Sequence, residues 1–196
     1  YAIANPWACW NNGIVPYVID SSLENVKHLI TKAMDHISQA TGGCVCFAER
    51  QTESDYVIFF NGDGCYSYVG RIGGAQFVSL NTRCHNLGVI IHELCHVLGF
   101  YHEQNRYDRD DYLIIHWENI QEGEESQFAL LPPTVNTVDD AFSIESITIY
   151  GNYVFSKDGV SKTMEAKSGE VLIDPYYKDG LSASDISRIK ALYGCA

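Results

Sequence analysis

Several features are scarce or missing in this sequence of 196 residues, and each excludes a class of structure or function. No apolar run approaches the ~18 residues that a membrane-spanning helix needs. Lys and Arg number 13 against 25 Asp and Glu, which gives a formal net charge of −12. Nucleic-acid binding depends on basic patches that displace counterions. We therefore expect neither a membrane span nor a nucleic-acid partner.

Cysteine is present, but no Cys-x-x-Cys pair occurs, which argues against a zinc site built from cysteines. The seven cysteines instead favour disulfides in an oxidising compartment. Because their number is odd, at least one thiol is free or bonded to another chain. The sequence also lacks an Asn-x-Ser/Thr glycosylation site and an internal repeat. It begins with Tyr1 and not with Met, so we expect a processed chain without a leader segment.

The chemistry is concentrated in the stretch H-E-L-C-H-V-L-G-F-Y-H. His92 and His96 are four residues apart, so on a helix they lie one turn apart on the same face. Gly99 allows a sharp exit from that helix, which brings His102 back as a third metal ligand. Three neutral ligands leave a fourth position open, as is typical of catalytic zinc. We predict one zinc ion per chain, with Glu93 as the general base.

Periodicity predicts three helices. The first runs from a capping box of Ser21 and Glu24 to the Gly42-Gly43 pair, with apolar residues recurring at intervals of three and four. The second, the zinc helix, is predicted to begin near Asn86 or Leu87. A last helix covers residues 182–192, and its first residue is a serine cap.

Short apolar runs bounded by turn residues predict strands over 13–19, 44–49, 55–60, 66–71 and 76–80. Pro16 favours an edge position for the first of these, because proline cannot donate to a sheet ladder. The strand Gln76–Leu80, if it lies at the edge of the sheet, would pair with an extended substrate. Beyond the zinc motif the chain is rich in turn residues, with a possible short strand over 111–116.

These elements predict an α+β fold in a single domain over residues 1–196. An N-terminal lobe, about residues 1–99, would hold a mixed twisted sheet and the two long helices. A mostly irregular C-terminal lobe, about residues 100–196, would hold the final helix. The zinc helix would then lie at the junction of the lobes, where ligand clefts are common.

The pattern of two histidines, a glycine and a third histidine matches the metzincin motif. The residues that follow make the resemblance more specific, since Glu103, Arg106, Asp108, Arg109 and Asp110 resemble the astacin family of zinc endopeptidases. Further similarity lies in residues 52–57, 64–71, 76–80 and 174–176, so it covers nearly the whole chain. The resemblance implies the two-lobed metzincin fold, an isolated catalytic domain, secretion, and synthesis as a zymogen.

The resemblance also implies roles for individual residues. His92, His96 and His102 would be the zinc ligands, and Glu93 the general base. Tyr150 would be a further ligand that moves away from the metal to support the transition state. The alternative for Tyr150 is an ordinary core tyrosine.

Two more implications concern the surroundings of the metal. Glu103 would meet the N-terminal amine of Tyr1 once a pro-segment is removed; the alternative is an exposed carboxylate at a helix end. Thr148 stands where metzincins carry a methionine beneath the ligands, and Ile149 stands where astacins usually carry histidine. Because a buried hydroxyl needs a partner, we expect a looser ligand bed and a lower zinc affinity, in an enzyme that remains active.

The family resemblance implies two disulfides, Cys44–Cys195 and Cys65–Cys84. Cys9, Cys46 and Cys95 lie outside that scheme. Cys95 points about 100° round the zinc helix from its neighbouring ligand, so it is poorly placed to bind metal. It is either a core residue or bridged to Cys46 or Cys9.

We therefore expect a secreted zinc endopeptidase that hydrolyses internal bonds of a protein or peptide substrate through a zinc-activated water. One alternative is a catalytically impaired zinc protein that binds a protein partner through its cleft. Another is a zinc hydrolase that acts on a bond other than a peptide bond. Glu93 favours catalysis over the first alternative, since a purely structural zinc has no use for a base. The oligomeric state is not predicted.

Overall fold

The computed structural model describes residues 2–137 and 141–195. The strands are β1 (Ala2–Ile3), β2 (Ile14–Ile19), β3 (Cys46–Glu49), β4 (Tyr56–Phe60), β5 (Cys65–Ser67), β6 (Ala75–Leu80), β7 (Leu113–Ile115), β8 (Asn136–Thr137) and β9 (Met164–Ala166). The α-helices are α1 (Lys27–Ala40), α2 (Leu87–Val97) and α3 (Ala183–Leu192). This arrangement confirms the predicted α+β class.

The main sheet has the strand order β3-β2-β4-β6-β5, in which the first four strands are parallel and β5 is antiparallel to β6. The edge position predicted for the strand with Pro16 is therefore wrong, and the edge condition set for Gln76–Leu80 is not met. β2 lies between β3 and β4, and it accommodates Pro16 because its ladder with β4 starts only at Tyr17. β6 lies between β4 and β5. The edge next to the zinc helix is β5.

The start of α1 also differs from the prediction. Residues 21–26 form a 3-10 helix, and the α-helix begins at Lys27. The cap is Asp20, whose side chain accepts a hydrogen bond from Ser22 N at 2.9 Å, so the predicted box of Ser21 and Glu24 is absent. The predicted apolar face is buried, as expected: Leu23, Val26, Ile30, Met34 and Ile37.

Two hydrophobic clusters stabilise the described part of the chain. The larger one joins the main sheet to α1 and α2, and it also takes in Ile147 and Ile189 from the C-terminal half. The smaller one lies wholly in that half, and it consists of Leu113, Ile120, Phe128, Ile149, Met164, Ala166 and Leu172. The C-terminal helix therefore packs on the N-terminal core. Among the residues that the structure describes, no helix combines the length and the apolar character of a membrane span.

The cysteines fall into two groups. Two disulfides are formed, Cys44–Cys195 and Cys65–Cys84, the same pairs that the resemblance implies. Cys95 is free and buried in α2, which agrees with the core alternative. Cys46 is free and exposed, and Cys9 is free and half-buried. The long-range bridge ties the end of α3 to the loop before β3, across 151 residues of sequence.

A histidine on α1 makes a second connection between the halves. His36 Nε2 accepts a hydrogen bond from Leu181 N at 3.0 Å, just before α3. Gly180 packs so closely that an added Cβ would lie 2.3 Å from the imidazole. Since a backbone N–H only donates, Nε2 must be unprotonated. Burial lowers the pKa of His36 from its ordinary value, which favours this neutral form.

This contact should make stability depend on pH. The pKa of His36 is lower in the folded chain than the unfolded value of about 6.5, so the stabilisation is complete above about pH 6.5 and is lost as pH falls below it. We expect the free energy of unfolding to fall more between about pH 7.5 and 5.5 for the parent than for His36→Gln. Glutamine accepts the same hydrogen bond without titrating. Denaturant unfolding of both chains measures this, and identical pH dependence would contradict it.

Candidate active site

Helix α2 carries two of the candidate ligands, His92 and His96, and its first turn is closely packed. Asn86 caps it, with its side chain accepting a hydrogen bond from Val89 N at 3.3 Å. At Gly88 an added Cβ would lie 2.0 Å from the carbonyl oxygen of Pro175, so only glycine permits this approach. His92 and Glu93 follow in the buried middle of the helix.

The helix ends as the sequence predicts. Gly99 has φ +109°, a conformation that L side chains rarely adopt. Phe100 N donates to the carbonyl of Cys95 at 3.0 Å, and Gly99 N donates to the carbonyl of His96 at 2.8 Å. These bonds close the last turn and reverse the chain, which brings His102 back toward the helix.

The three histidines converge. Their Nε2 atoms lie 2.9 Å apart for His92 and His96, 3.0 Å for His96 and His102, and 3.2 Å for His92 and His102. His92 Nδ1 lies 2.8 Å from the carbonyl oxygen of Ile147, and His96 Nδ1 lies 2.7 Å from that of Phe100. A carbonyl oxygen only accepts, so both Nδ1 atoms carry the proton and both Nε2 lone pairs point inward.

This donor set fits zinc. Tetrahedral coordination with Zn–N bonds of about 2.0–2.1 Å separates neighbouring nitrogens by about 3.3 Å, close to the spacing observed. Burial lowers the pKa of His92 to about 4 and that of His96 to about 3, so both are neutral at physiological pH. The pKa of His102 is also well below its ordinary value, first through burial and then through the two neighbouring imidazoles. Three lone pairs held this close repel one another unless a cation lies between them.

Glu93 is the second feature of the site that fits a bound metal ion. It is buried, and its Oε2 atom has no hydrogen-bond partner among the described residues. Burial raises the pKa of this carboxyl group to about 8. A cation held by the histidines would oppose that shift, because it favours the carboxylate. The residue next to the first ligand thus has a buried carboxyl oxygen that no described residue binds.

Tyr150 lies beside the third ligand, His102. Its ring centroid is 4.5 Å from that of His102, and its hydroxyl donates a weak hydrogen bond of 3.5 Å to Gln127 Oε1. Burial raises the pKa of the phenol above its ordinary value, so it keeps its proton. Tyr150 lines the cleft and also packs against the smaller hydrophobic cluster, so its catalytic role remains a prediction.

An open cleft of about 480 Å³ contains all these groups. One wall is the edge strand β5, with Val69 beyond it. The other wall comes from the C-terminal half and includes Val154, Phe155, Asp174 and Pro175. The predicted substrate strand, Gln76–Leu80, is one position further into the sheet and has both neighbours already paired. Pairing with an extended peptide is therefore possible at β5.

Comparison with known proteins agrees with this geometry. The family model named Astacin, which describes a family of peptidases, matches residues 2–194. The chain belongs to the astacin family. That family is one of peptidases, which agrees with a histidine triad placed to hold a metal ion.

Relatives support the assignment. Zinc metalloproteinase nas-6 of Caenorhabditis elegans is 35% identical over 196 residues, which is 99% of this chain and 56% of that protein. Astacin-like metalloprotease toxin 1 of Loxosceles intermedia is 41% identical over 190 residues, covering 95% of this chain and 71% of that protein. The structure of high choriolytic enzyme 1, a hatching enzyme zinc-protease from Oryzias latipes, has a TM-score of 0.91 and 34% identity, with both chains covered completely. This chain thus spans about half the length of the first of these relatives.

The turn beneath the zinc ligands is where this astacin departs from the metzincin pattern. The hydroxyl of Thr148 is buried, 3.0 Å from Ser146 Oγ. Ser146 Oγ in turn donates to Asp185 Oδ1 at 2.7 Å. Because Ser146 has one hydroxyl proton, Thr148 must be the donor in the first contact. The partner that a buried threonine needs is therefore present.

Two charged side chains fix the backbone of this turn. Asp185 Oδ2 accepts a hydrogen bond from Ile147 N at 2.8 Å. Lys178 Nζ donates to the carbonyl of Ser146 at 2.5 Å, and burial lowers the pKa of this ammonium group to about 8. Ile147 is also the residue whose carbonyl binds His92. Sequence reasoning gave neither Asp185 nor Lys178 a role at the metal site, because their partners here are distant along the chain.

Glu103, directly after the third ligand, is fully buried, which excludes the alternative of an exposed carboxylate. Arg188 donates to its two oxygens at 2.9 and 3.0 Å, Arg106 donates to Oε1 at 3.2 Å, and Ser143 N donates to the same oxygen at 2.9 Å. Sequence reasoning missed Arg188, which is 85 residues away along the chain. Tyr1 lies outside the described residues, so contact of Glu103 with the N-terminal amine remains a prediction.

The polar network leads to a prediction about metal affinity. In Asp185→Asn an amide would replace the carboxylate that accepts from both Ser146 Oγ and Ile147 N, so the carbonyl that orients His92 should lose its support. We expect zinc affinity to fall about tenfold, the lower end of the cost of disturbing the groups that hold a metal ligand in place. Competition with a chelating dye measures it.

The matched control is Ser182→Ala. Ser182 Oγ also donates to Asp185, at 2.8 Å, but among the described residues it makes no hydrogen bond to the turn itself. This change should lower the stability of the chain by about 1 kcal/mol through loss of the cap on α3. It should leave zinc affinity as in the parent. Equal affinities for the parent and Asp185→Asn would show that the network does not position the ligand.

Proposed function

We propose that this chain is a secreted zinc endopeptidase that cleaves internal bonds of protein or peptide substrates. The proposal is carried by one observation, the unpartnered Glu93 Oε2 in a cleft that also contains three converging imidazole nitrogens. Two disulfides support secretion, since such bonds persist in oxidising compartments. The two-lobe division near residue 100 is part of the same proposal.

His92, His96 and His102 would hold the zinc ion. When bound, zinc supplies a Lewis acid that acidifies water and polarises a carbonyl group. The protein contributes the fixed geometry of the ligands, through the carbonyls of Ile147 and Phe100. This pre-organisation limits rearrangement during the reaction.

Glu93 would move the proton. Its carboxylate accepts one proton from the attacking water and later delivers it to the leaving amine nitrogen, as a general acid–base does. A cation held by the histidines favours the carboxylate that takes the proton, and burial favours the protonated form once the proton has been transferred. The backbone of β5 would pair with the extended substrate and fix the scissile bond over the carboxylate.

Tyr150 would stabilise the oxyanion. Its hydroxyl makes only a 3.5 Å contact with Gln127, so little energy is lost when it turns toward a developing negative charge. The raised pKa ensures that the hydroxyl is a donor at physiological pH. Its proximity to His102 keeps it within the catalytic cleft.

The first test is Glu93→Gln, which keeps the shape of the side chain and removes the base. We expect cleavage of a proteome-derived peptide library, read by mass spectrometry, to fall by at least about 100-fold. Zinc content should match that of the parent. Cleavage that persists in the variant would exclude Glu93 as the base.

The same assay decides the alternative of an impaired zinc protein that binds a partner through its cleft. Thr148 is the feature that favours it, because the metzincin methionine is missing. The complete ligand set and the partnered hydroxyl of Thr148 count against it. A folded, zinc-loaded parent that cleaves nothing in the library would make binding the leading function.

A second variant tests the role of the Tyr150 hydroxyl. In Tyr150→Phe the ring remains and the hydroxyl is lost, so kcat should fall about 100-fold while KM changes little. The control is Tyr107→Phe, an exposed tyrosine outside the cleft, which should leave both constants unchanged. If Tyr150→Phe instead raised KM with kcat preserved, the hydroxyl would serve substrate binding and not the oxyanion.

A further inference from the structure

The orientation of the edge strand fixes the direction in which a substrate leaves the cleft. Cys65, at the start of β5, is bonded to Cys84, which precedes α2. Ser67, at its end, donates through Oγ to the carbonyl of Glu93 at 3.1 Å, in the middle of α2. The strand therefore starts near the beginning of α2 and runs toward the base. A peptide that pairs antiparallel with β5, the more stable mode, runs the opposite way.

The carboxyl side of such a peptide would leave the cleft past Asp174 and Pro175. Gly88, in the first turn of α2, packs directly against Pro175, so this segment lies at the same end of the cleft as Cys65. Asp174 and Pro175 both line the cleft. Residues after the scissile bond should therefore reach the surface beyond Asp174.

That surface is a second groove of about 540 Å³, continuous with the catalytic cleft. The two share Val154 and Asp174 as lining residues. Its large apolar side chains are unusually accessible: Val171 is 72% exposed and Tyr177 is 77% exposed. Contiguous exposed apolar surface of this kind is typical of interaction sites, and tyrosine is enriched where binding energy is concentrated.

The groove continues into an acidic region. Val171, Ile173 and Tyr177 also line an adjacent depression, which is bordered by the exposed carboxylates of Glu145, Glu170 and Asp179. Lys178 lines it too, but its ammonium group is bonded to the carbonyl of Ser146. The chemical character of the surface therefore changes from apolar to anionic with distance from the catalytic cleft.

We propose that this exosite groove, lined by Tyr153, Val171, Ile173, Tyr176 and Tyr177, binds the part of a protein substrate that follows the scissile bond. The preferred segment has apolar residues first and Lys or Arg next. Continuity with the cleft selects the substrate itself as occupant over an unrelated partner. The inference rests on the proposed function, because it assumes that a peptide lies along β5. Binding energy from this remote segment would be available to raise kcat/KM.

The test compares two peptides built on one sequence that the parent cleaves. If it cleaves none, a library sequence is used and its central bond takes the place of the cut site. The short peptide ends two residues after the cut site. The long one continues with Ile-Phe-Leu-Lys-Lys. Fluorescence anisotropy with zinc-loaded Glu93→Gln gives the affinities without turnover, and we expect the long peptide to bind about tenfold tighter, the equivalent of one good anchor residue.

Variants and control peptides show whether the higher affinity of the long peptide comes from the groove. In the Glu93→Gln background, Val171→Ser with Tyr177→Ser should remove most of the difference between the two peptides. Val160→Ser with Tyr107→Ser changes exposed residues of the same types outside the groove and should preserve it. The same five residues placed before the cut site should give no gain. A Gly-Ser-Gly-Glu-Glu extension should also give none.

Three results would overturn the exosite: equal affinity for both peptides, a gain that survives the groove variant, or an equal gain from the upstream extension. Failure of the proposed function has a different signature. In that case the parent with intact Glu93 cleaves neither peptide, while the affinities still report on the groove. Where the parent does cleave, the ratio of kcat/KM for the long and short peptides should be about ten and should approach one in the groove variant.

Discussion

The metal site depends on two hydrogen bonds from imidazole to backbone. His92 donates to the carbonyl of Ile147, and His96 donates to that of Phe100. Each fixes a tautomer and directs an Nε2 lone pair inward, and together with His102 they create a cavity suited to a cation. The first bond also joins distant parts of the chain, since His92 is on α2 and Ile147 is in the C-terminal half. Zinc binding and the packing of the two halves are therefore coupled, because the ligand geometry requires both.

The same coupling explains how the turn tolerates threonine in place of methionine. A methionine fills space beneath the ligands by packing, whereas here the turn is fixed by directed bonds. Thr148 donates to Ser146, Ser146 donates to Asp185, and the carboxylate of Asp185 also accepts from the backbone of the turn. Buried polar groups are costly only when they lack partners, and every hydroxyl in this chain of contacts has one. The expectation of a looser ligand bed considered Thr148 alone and stays a prediction, and sequence reasoning did not detect this network of hydrogen bonds.

What the sequence predicts well is local. The spacing of histidines on one helix face, the glycine exit and the apolar face of α1 each depend on residues within a few positions, and all appear in the structure as expected. What it misses is set by distant partners. Strand order is one example, since nothing near Pro16 shows that another strand pairs on each side of β2. Another is Arg188, whose position in a helical pattern gives no indication that it binds the carboxylate of Glu103. The capping error at Ser21 is of a third kind, because the cap is one residue earlier: Asp20 accepts from Ser22 N, and the segment that follows is a 3-10 helix.

Charge connects the catalytic cleft to the surface beyond it. Among the described residues that line the cleft there is no Lys or Arg, whereas Glu93 and Asp174 are both present. An acidic substrate side chain would therefore lose its hydration without gaining an opposite charge, and a net charge of −12 would slow its approach. Apolar and basic side chains meet neither obstacle. The cleft, the exosite groove and the carboxylates beyond it thus all favour apolar and basic side chains over acidic ones. The reason is that the described lining of these surfaces contains one lysine, Lys178, and its ammonium group is bonded to the turn beneath the metal ligands.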